Sequence, residues 1–560
     1  MLNYSGLGQY LSYKQLTNNK EEFNQNTIIE YIKINNAKEL LIGLTALLRV
    51  SFDEQEKIKP DFIFFLKSLN KNFNYSLLMN STLASKQSIM ITIKWVIVHG
   101  NFKNVIINSS RNNKTLISQC ILLTSMIADS LESHVNRSID YDDFLEKIAP
   151  EMQRNAYFNS IDNIQIFPAV VRNIFYFMSI TNSDKLKNEP DYTNCAADFA
   201  KYYDYSIEQY IGSILTFEAV ANKSFSLYNN FYDIYINKIT DGPFKHEIIL
   251  RVINHLTIDI NDAKTLLAKT YKEDWGLDLF WQYGFLKTAP NEIIPLNLSA
   301  IVHNISLSLK FEIQKIYPNN SLKRSHFLSF YGKIQEAYII HILEKTTINL
   351  SYVTVTPEFN YRGNKSPDAM VSLGKRTLLV FESKGYSLKK HSLFSIDDSS
   401  YIQDEEKLAV DPIKQTIDRL DELKDFTNTT SSAPIIIEQF NKIYIFSLTA
   451  EGTPFNSYGQ EVIDKSIQDA IISSKLNDKI KGYYHLSIEH FELFLSWLFI
   501  SKSKKNITTK LDEFFSSKES LNNFLYRENI DVPRIPFLQE REYIISNTIN
   551  SIIEEGHYIE

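Results

Sequence analysis

Cysteine is nearly missing from this 560-residue chain: Cys120 and Cys195 are the two present. Neither has ligand-like neighbours, which excludes a disulfide framework and a cysteine-based zinc site. Glycine (16) and proline (15) are scarce, while Asn, Ile, Lys, Tyr and Phe abound. That bias is the mark of an AT-rich coding sequence, so a lysine cluster carries less meaning here than elsewhere. The opening Met1-Leu2-Asn3-Tyr4-Ser5-Gly6 lacks a basic segment followed by an apolar one, and no apolar stretch reaches spanning length. A soluble, cytoplasmic protein with no membrane partner is expected. No G-x-x-x-x-G-K-[ST] loop or kinase signature occurs, so energy-dependent translocation would need a separate subunit. Arg251 and His255 are spaced too closely for the Arg/His pair of helical ribonucleases, and His255 reads as a core histidine. His485 and His490, five apart, suit neither helical nor strand metal geometry.

What the chain does have is length and an ordinary globular balance of 44% hydrophobic and 22% charged residues. Its size exceeds what one hydrophobic core usually organises, and two to four domains are expected. Thr27–Lys33, Lys38–Val50, Asp61–Leu69 and Ser88–Val98 carry apolar residues at helical spacing, and strand-like alternation is scarce before about residue 310. The pattern predicts an all-α region over 1–310, with a possible subdomain break near 140–190. Such a region suits recognition or assembly, through a protein partner or self-association. Helices are also predicted over Ile488–Ser501, Ile507–Phe515 and Tyr543–Glu555. Lys502-Ser503-Lys504-Lys505 between them reads as a solvated turn or, alternatively, a phosphate contact.

Chemistry concentrates in one stretch. Ser366-Pro367-Asp368-Ala369-Met370 is followed by Arg376-Thr377-Leu378-Leu379-Val380-Phe381-Glu382-Ser383-Lys384. The run to Phe381 is apolar and β-branched enough for a central strand, and Ser372-Leu373-Gly374-Lys375 is a hairpin turn. Asp368 and Glu382 then lie on neighbouring antiparallel strands. Because side chains alternate, Glu382 and Lys384 share a face and Ser383 points away. Two carboxylates and an ammonium converge in a place where a buried charge costs several kcal/mol unless it is paired or binds a metal. Oxygen-only ligands suit Mg²⁺ or Mn²⁺. The competing reading is a fortuitous Glu-x-Lys on an edge strand, against which the unbroken apolar run argues.

Pro367-Asp368, a thirteen-residue gap and Glu382-Ser383-Lys384 resemble the PD-(D/E)xK motif of the restriction-endonuclease-like nuclease superfamily. The resemblance implies an α-β-β-β-α-β core with a mixed sheet. The sequence accommodates it with a helix near 325–345, strands at about 350–358, 367–372 and 376–386, a helix opening at Asp411-Pro412, and a strand from Lys442 to Leu448. The full expectation is a multi-domain α plus α/β protein: helical over 1–310, nuclease-like over 311–500, helical again over 501–560. The resemblance implies that Asp368, Glu382 and the Ser383 carbonyl hold the metal, with Lys384 orienting the attacking water. It also gives Glu336 a place in the metal shell and Gln415 a contact with the lysine or a phosphate. Glu336 shares a helical stripe with Ile340 and Leu343; its bland alternative is a rim glutamate paired with Lys333 or Lys345.

The net charge of −7 does not exclude a nucleic-acid substrate, since a basic channel can sit on an acidic body. Arg362, Lys365, Lys375, Arg376, Lys384, Lys389, Lys390 and His391 form a local basic excess, of which Arg362, Lys389 and Lys390 are the candidate nucleic-acid contacts. The polar stretch Ser387–Val410 reads as a substrate or partner loop. The expected activity is metal-dependent nuclease action, DNA favoured over RNA. A large helical region fused to such a core also resembles effector nucleases of bacterial anti-phage defence, an analogy of architecture alone. The alternative is a nuclease-like subunit that binds nucleic acid or a partner without cutting.

Overall fold

The structure is a computed structural model that describes residues 11–18, 24–50, 52–69, 72–102, 113–131, 166–224, 247–273, 275–290, 292–306, 309–385, 403–404, 406–427, 434–450, 457–501, 506–530, 532–541 and 543–556. Helices fill the first half where the 3.6-residue period predicts them. α1 (Ala37–Leu48), α2 (Lys86–His99) and α3 (Asn113–Leu131) pack together through Leu41, Leu44, Ile93, Val96 and Ile121. Asn36 caps α1 by accepting from the Lys38 and Glu39 amides, and Ser85 caps α2 in a capping box with Ser88. Every residue of α1 is buried, which makes it the centre of this core instead of an amphipathic surface helix. Among the described residues no helix is long and apolar enough to cross a membrane.

The all-α expectation for 1–310 needs correction. Beyond α4 (Ile166–Ile174) and α5 (Ile207–Ser224) lie three short strands, β1 (Thr257–Asp259), β2 (Phe285–Ala289) and β3 (Glu292–Pro295). β1 pairs with β2 in parallel, and β2 with β3 antiparallel. Runs of so few residues cannot display a two-residue alternation, so the pattern conceals them. Leu286 and Ile294 from these strands fill the same core as α1, α2 and α3.

The second half is built on a five-stranded sheet. In chain order come α6 (Leu322–Thr347), β4 (Val353–Pro357), the small hairpin β5 (Asn360–Tyr361) and β6 (Asn364–Lys365), β7 (Ala369–Leu373), β8 (Thr377–Lys384), α7 (Asp411–Thr427), β9 (Lys442–Thr449), α8 (Ser457–Ser473), β10 (Ile480–Ser487), α9 (Ile488–Leu495) and α10 (Ile507–Ser517). The sheet order is β10-β9-β8-β7-β4; the β4–β7 and β7–β8 pairs are antiparallel, while β8, β9 and β10 are parallel. The predicted α-β-β-β-α-β succession is present as α6-β4-β7-β8-α7-β9. α8 and β10 were not foreseen: β10 is half-exposed over most of its length, and Gly482 and Lys481 interrupt any apolar run. α7 opens at Asp411, as Asp411-Pro412 predicts, but a π turn over Glu406–Val410 that buries Leu408, Ala409 and Val410 runs directly into it, so Asp411 follows helical backbone instead of a loop. The rest of the expected 387–410 loop lies almost wholly outside the described residues, as does Lys502–Lys505.

β8 is the central strand, covered on both faces. Leu379 and Phe381 pack towards α6, and Leu378 and Val380 towards Ile413 and Ile417 of α7. Gly374, at φ +61°, makes the β7–β8 turn, a conformation for which glycine is suited.

The expected boundaries at 310 and 501 both fall inside one hydrophobic core, which runs from Val170 through Ile214, Ile334, Phe381 and Phe494 to Ile545. The candidate break near 140–190 lies partly outside the described residues, but the Asn182–Pro190 stretch carries a short helix, Asp184–Lys187, whose Leu186 is buried in that core. A buried ion pair ties the halves together. Arg172 of α4 donates from Nε and Nη2 to Glu492 of α9 at 2.7 and 2.8 Å, and the Tyr338 hydroxyl of α6 donates to the same carboxylate at 2.6 Å.

Removing one member of a buried pair strands the other charge, so Arg172→Ala is expected to cost about 3–5 kcal/mol. Denaturant unfolding should show this, with Arg172→Met/Glu492→Leu recovering most of the loss. The isolated 311–560 fragment, which keeps Glu492 without Arg172, should aggregate; a soluble fragment of full-chain stability would contradict the shared core.

Candidate metal centre at the end of the central strand

The register of β7 against β8 sets Ala369 opposite Phe381, which brings Asp368 and Glu382 to the same end of the sheet. Asp368 is buried, and its Oδ2 accepts from the Ser383 backbone amide at 2.7 Å. β4 delivers a residue that sequence reasoning missed. Pro357 pairs with Ala369, and the Glu358 amide donates to the Asp368 carbonyl at 3.0 Å, so Glu358 is carried to the same point. Its one signal is position: it directly follows a strand expected to pair beside Asp368.

Glu336 comes from α6, and Gly385 makes its approach possible. A Cβ on Gly385 would lie 2.9 Å from the Gly332 Cα, so the end of β8 passes directly against α6 one turn before Glu336. Carboxylate oxygens of Glu336, Glu358 and Asp368 lie within 4.8 Å of one another, the sole group of three or more metal-competent side chains found among the described residues.

Glu382 stands beside this group but makes other contacts. It is 2% exposed, and Arg419 Nη1 of α7 donates to both its oxygens at 3.0 and 2.8 Å, while Lys384 Nζ donates to Oε1 at 3.0 Å. Lys384 also reaches Gln415 Oε1 at 2.7 Å, the lysine contact that the resemblance implied. Arg419 was missed too, although it sits one helical turn beyond Gln415 on the same face. The structure thus joins Asp368 and Glu336 with Glu358, and turns Glu382 towards two cations. Ser383 contributes its amide to Asp368.

Arg362 is elsewhere. It occupies the turn between β5 and β6 at φ +46° and stacks 5.5 Å over the Phe426 ring at the far end of α7. Lys389 and Lys390 lie outside the described residues. Arg251 and His255 do not form a pair: Arg251 binds Asp204 and Glu247, and His255 lies 3.4 Å from Glu312. His490 approaches Asn522, and His485 is half-buried on β10.

The electrostatics of the cluster are unfavourable as they stand. Burial pushes the Asp368 carboxyl well above the usual range; Glu382 and Glu336 add to this, and the Ser383 amide only partly offsets it. Burial likewise raises Glu336 against the opposing pull of Lys333, which hydrogen-bonds it. Lys365 pairs with Glu358 at 2.8 Å. Buried like charges of this kind are what a bound cation relieves. Three carboxylates with no thiolate or imidazole match Mg²⁺ or Mn²⁺, which keep positions for water and phosphate. The Ser383 hydroxyl and both amide atoms of Gln335, the neighbour of Glu336, are buried without a protein partner, in keeping with a site that is completed by something besides side chains.

No protein-family model, curated protein or solved structure matches this chain.

The glycine contact gives an asymmetric expectation. Gly385→Ala would force α6 away from β8 and weaken Mn²⁺ binding, whereas Gly332→Ala meets nothing within 4 Å and should stabilise α6 by up to about 1 kcal/mol. Isothermal titration with Mn²⁺ and thermal melts of the two variants check this.

Asp368 gives a pH expectation. Its raised folded pKa means that the fold holds a proton where the unfolded chain is ionised, so metal-free stability falls as pH rises from the ordinary carboxyl range through the raised value. Asp368→Asn keeps an acceptor for the Ser383 amide and removes this loss. In EDTA at neutral pH its melting temperature should exceed the parent's by about 2–4 °C, with the gap closing at acid pH.

Proposed function

We propose that this chain is a metal-dependent nuclease that hydrolyses phosphodiester bonds, with DNA as the favoured substrate. The observation that carries this reading is the group of the buried Asp368 and the half-buried Glu336 and Glu358, with carboxylate oxygens within 4.8 Å, set beside the Lys384–Glu382–Arg419 array at the end of one strand. Carboxylates and cations side by side at a strand end are a costly arrangement for stability alone. They suit a reaction in which anionic phosphate and its counter-ions share a site.

Glu336, Glu358 and Asp368 would hold Mg²⁺ or Mn²⁺. When bound, such an ion acidifies a water and neutralises charge on the phosphate. Lys384, held by Glu382 and Gln415, presents its ammonium to the attacking water and to the charge that builds on the phosphate oxygens. Arg419 offers a planar guanidinium for a second phosphate oxygen, and Glu382 keeps the two cations together. Glu382 serves here as counter-ion; as a metal ligand it would first have to release Arg419.

A role as an effector in bacterial anti-phage defence rests on the fusion of a large helical region to this core, and that region is the candidate surface for a protein partner or self-association. A second reading, a silent nucleic-acid-binding subunit, is favoured by one feature: Arg419 spans both oxygens of Glu382.

Alanine at Asp368, Glu382 or Lys384 should lower cleavage of plasmid or linear DNA by at least about two orders of magnitude, EDTA should abolish it, and the products should carry 5′-phosphate and 3′-hydroxyl ends. Full cleavage by Glu382→Ala, or cleavage that persists in EDTA, would sink the assignment. Binding without cleavage by the parent chain would leave the silent reading.

A further inference from the structure

The central strand has two ends, and the one remote from the carboxylates also carries a built feature. A cavity of about 700 Å³ opens between the β7–β8 turn, the start of β9, the π turn Ser496–Ile500 that follows α9, and the N-terminus of α10. It lies seven residues along β8 from Lys384, about 23 Å at strand spacing. Among the described residues three cations, Arg376, Lys442 and Lys510, line it and no carboxylate does, on a chain of net charge −7.

The cations differ in how far they are already compensated. Lys510 is buried, and its ammonium donates to the Trp497 and Leu498 carbonyls at 3.0 and 3.4 Å and the Ser501 hydroxyl at 3.2 Å. It pairs with no carboxylate among the described residues, and burial pulls its pKa down. Lys442 is held from behind by Asp512 at 2.6 Å, a residue that does not line the cavity. Arg376 is exposed and has no ion pair among the described residues. α10 supplies a further positive element. Asn506 caps the Thr509 amide at 2.8 Å, while Ile507 and Thr508, which line the cavity, are first-turn residues whose amides have no intrahelical acceptor. Tyr352 and Phe499 provide aromatic wall.

We propose that this cavity binds a nucleoside phosphate, with the phosphate at Arg376, Lys442 and the N-terminus of α10 and the base against Tyr352 and Phe499. The volume lies within the range of small-molecule sites, and two cations with the first-turn helix amides match one phosphate group better than a carboxylate or a neutral ligand. A nucleic-acid strand would call for an extended groove that tracks many phosphates. The inference does not rest on the nuclease reading, since no residue of the carboxylate cluster takes part.

The test is isothermal titration of the full chain in EDTA at low salt, with the four ribonucleoside 5′-monophosphates, inorganic phosphate and a short DNA single strand as separate probes. At least one monophosphate should bind with Kd at or below about 1 mM, and more tightly than inorganic phosphate. Arg376→Glu, at an exposed position, should leave the melting temperature unchanged and weaken binding at least about tenfold. Asp512→Asn should strengthen binding by releasing Lys442. Glu382→Ala should leave binding unchanged, which separates this outcome from any loss of cleavage. The proposal is overturned if no monophosphate binds up to about 1 mM, if Arg376→Glu binds as the parent does, or if Asp512→Asn binds no better. Arg376-dependent binding of the DNA strand alone would assign the surface to nucleic acid and overturn the nucleotide.

Discussion

The antiparallel register between β7 and β8 is the constraint on which the candidate site depends. With Ala369 opposite Phe381, Asp368 meets the Ser383 amide and Glu382 emerges beside Lys384. A slip of one residue would turn every side chain of β8 to the other face, burying Glu382 among Leu379's partners and sending Phe381 towards α7. The slip is prevented because both faces of β8 are filled by apolar side chains of fixed shape, Leu379 and Phe381 on one side and Leu378 and Val380 on the other. Packing therefore sets the chemistry.

Charge is tolerated at this end of the sheet by division. Lys333 and Lys365 compensate Glu336 and Glu358 on one flank, and Lys384 and Arg419 compensate Glu382 on the other. Asp368 stands between the flanks with no ion pair among the described residues and a hydrogen bond from a backbone amide, so the conflict gathers on one carboxyl. Each pairing lowers the cost of ionisation, and the residue left over is the one for which a bound cation makes the largest difference.

The same economy of burial explains why the two halves are not separate bodies. Arg172, Glu492 and Tyr338 come from three helices distant in sequence and satisfy one another in a dry interior. The C-terminal helix Tyr543–Gly556 packs back on α5. A change from helical to mixed patterning near residue 310 marks a change of secondary structure, but the core ignores it, because apolar surface is buried wherever complementary surface lies and not according to element type.

What the sequence by itself determined were features carried by local pattern. The helical periods of α1, α2 and α6 were legible in it, as were the apolar run of β8 with its glycine turn and the spacing that brings Asp368 to Glu382 and Lys384. Even the Gln415 contact was within reach, since Asp411-Pro412 announces the α-helix that begins there. Only the tertiary structure decided that Glu358 joins Asp368, because strand pairing and not periodicity carries it there. The same holds for Arg419 against Glu382, for the pairing of β10 beyond β9, and for the passage of Gly385 against Gly332 that lets Glu336 arrive. Each of these depends on contact between segments far apart in the chain, where the free energy comes from surfaces meeting and no short window of residues contains both partners.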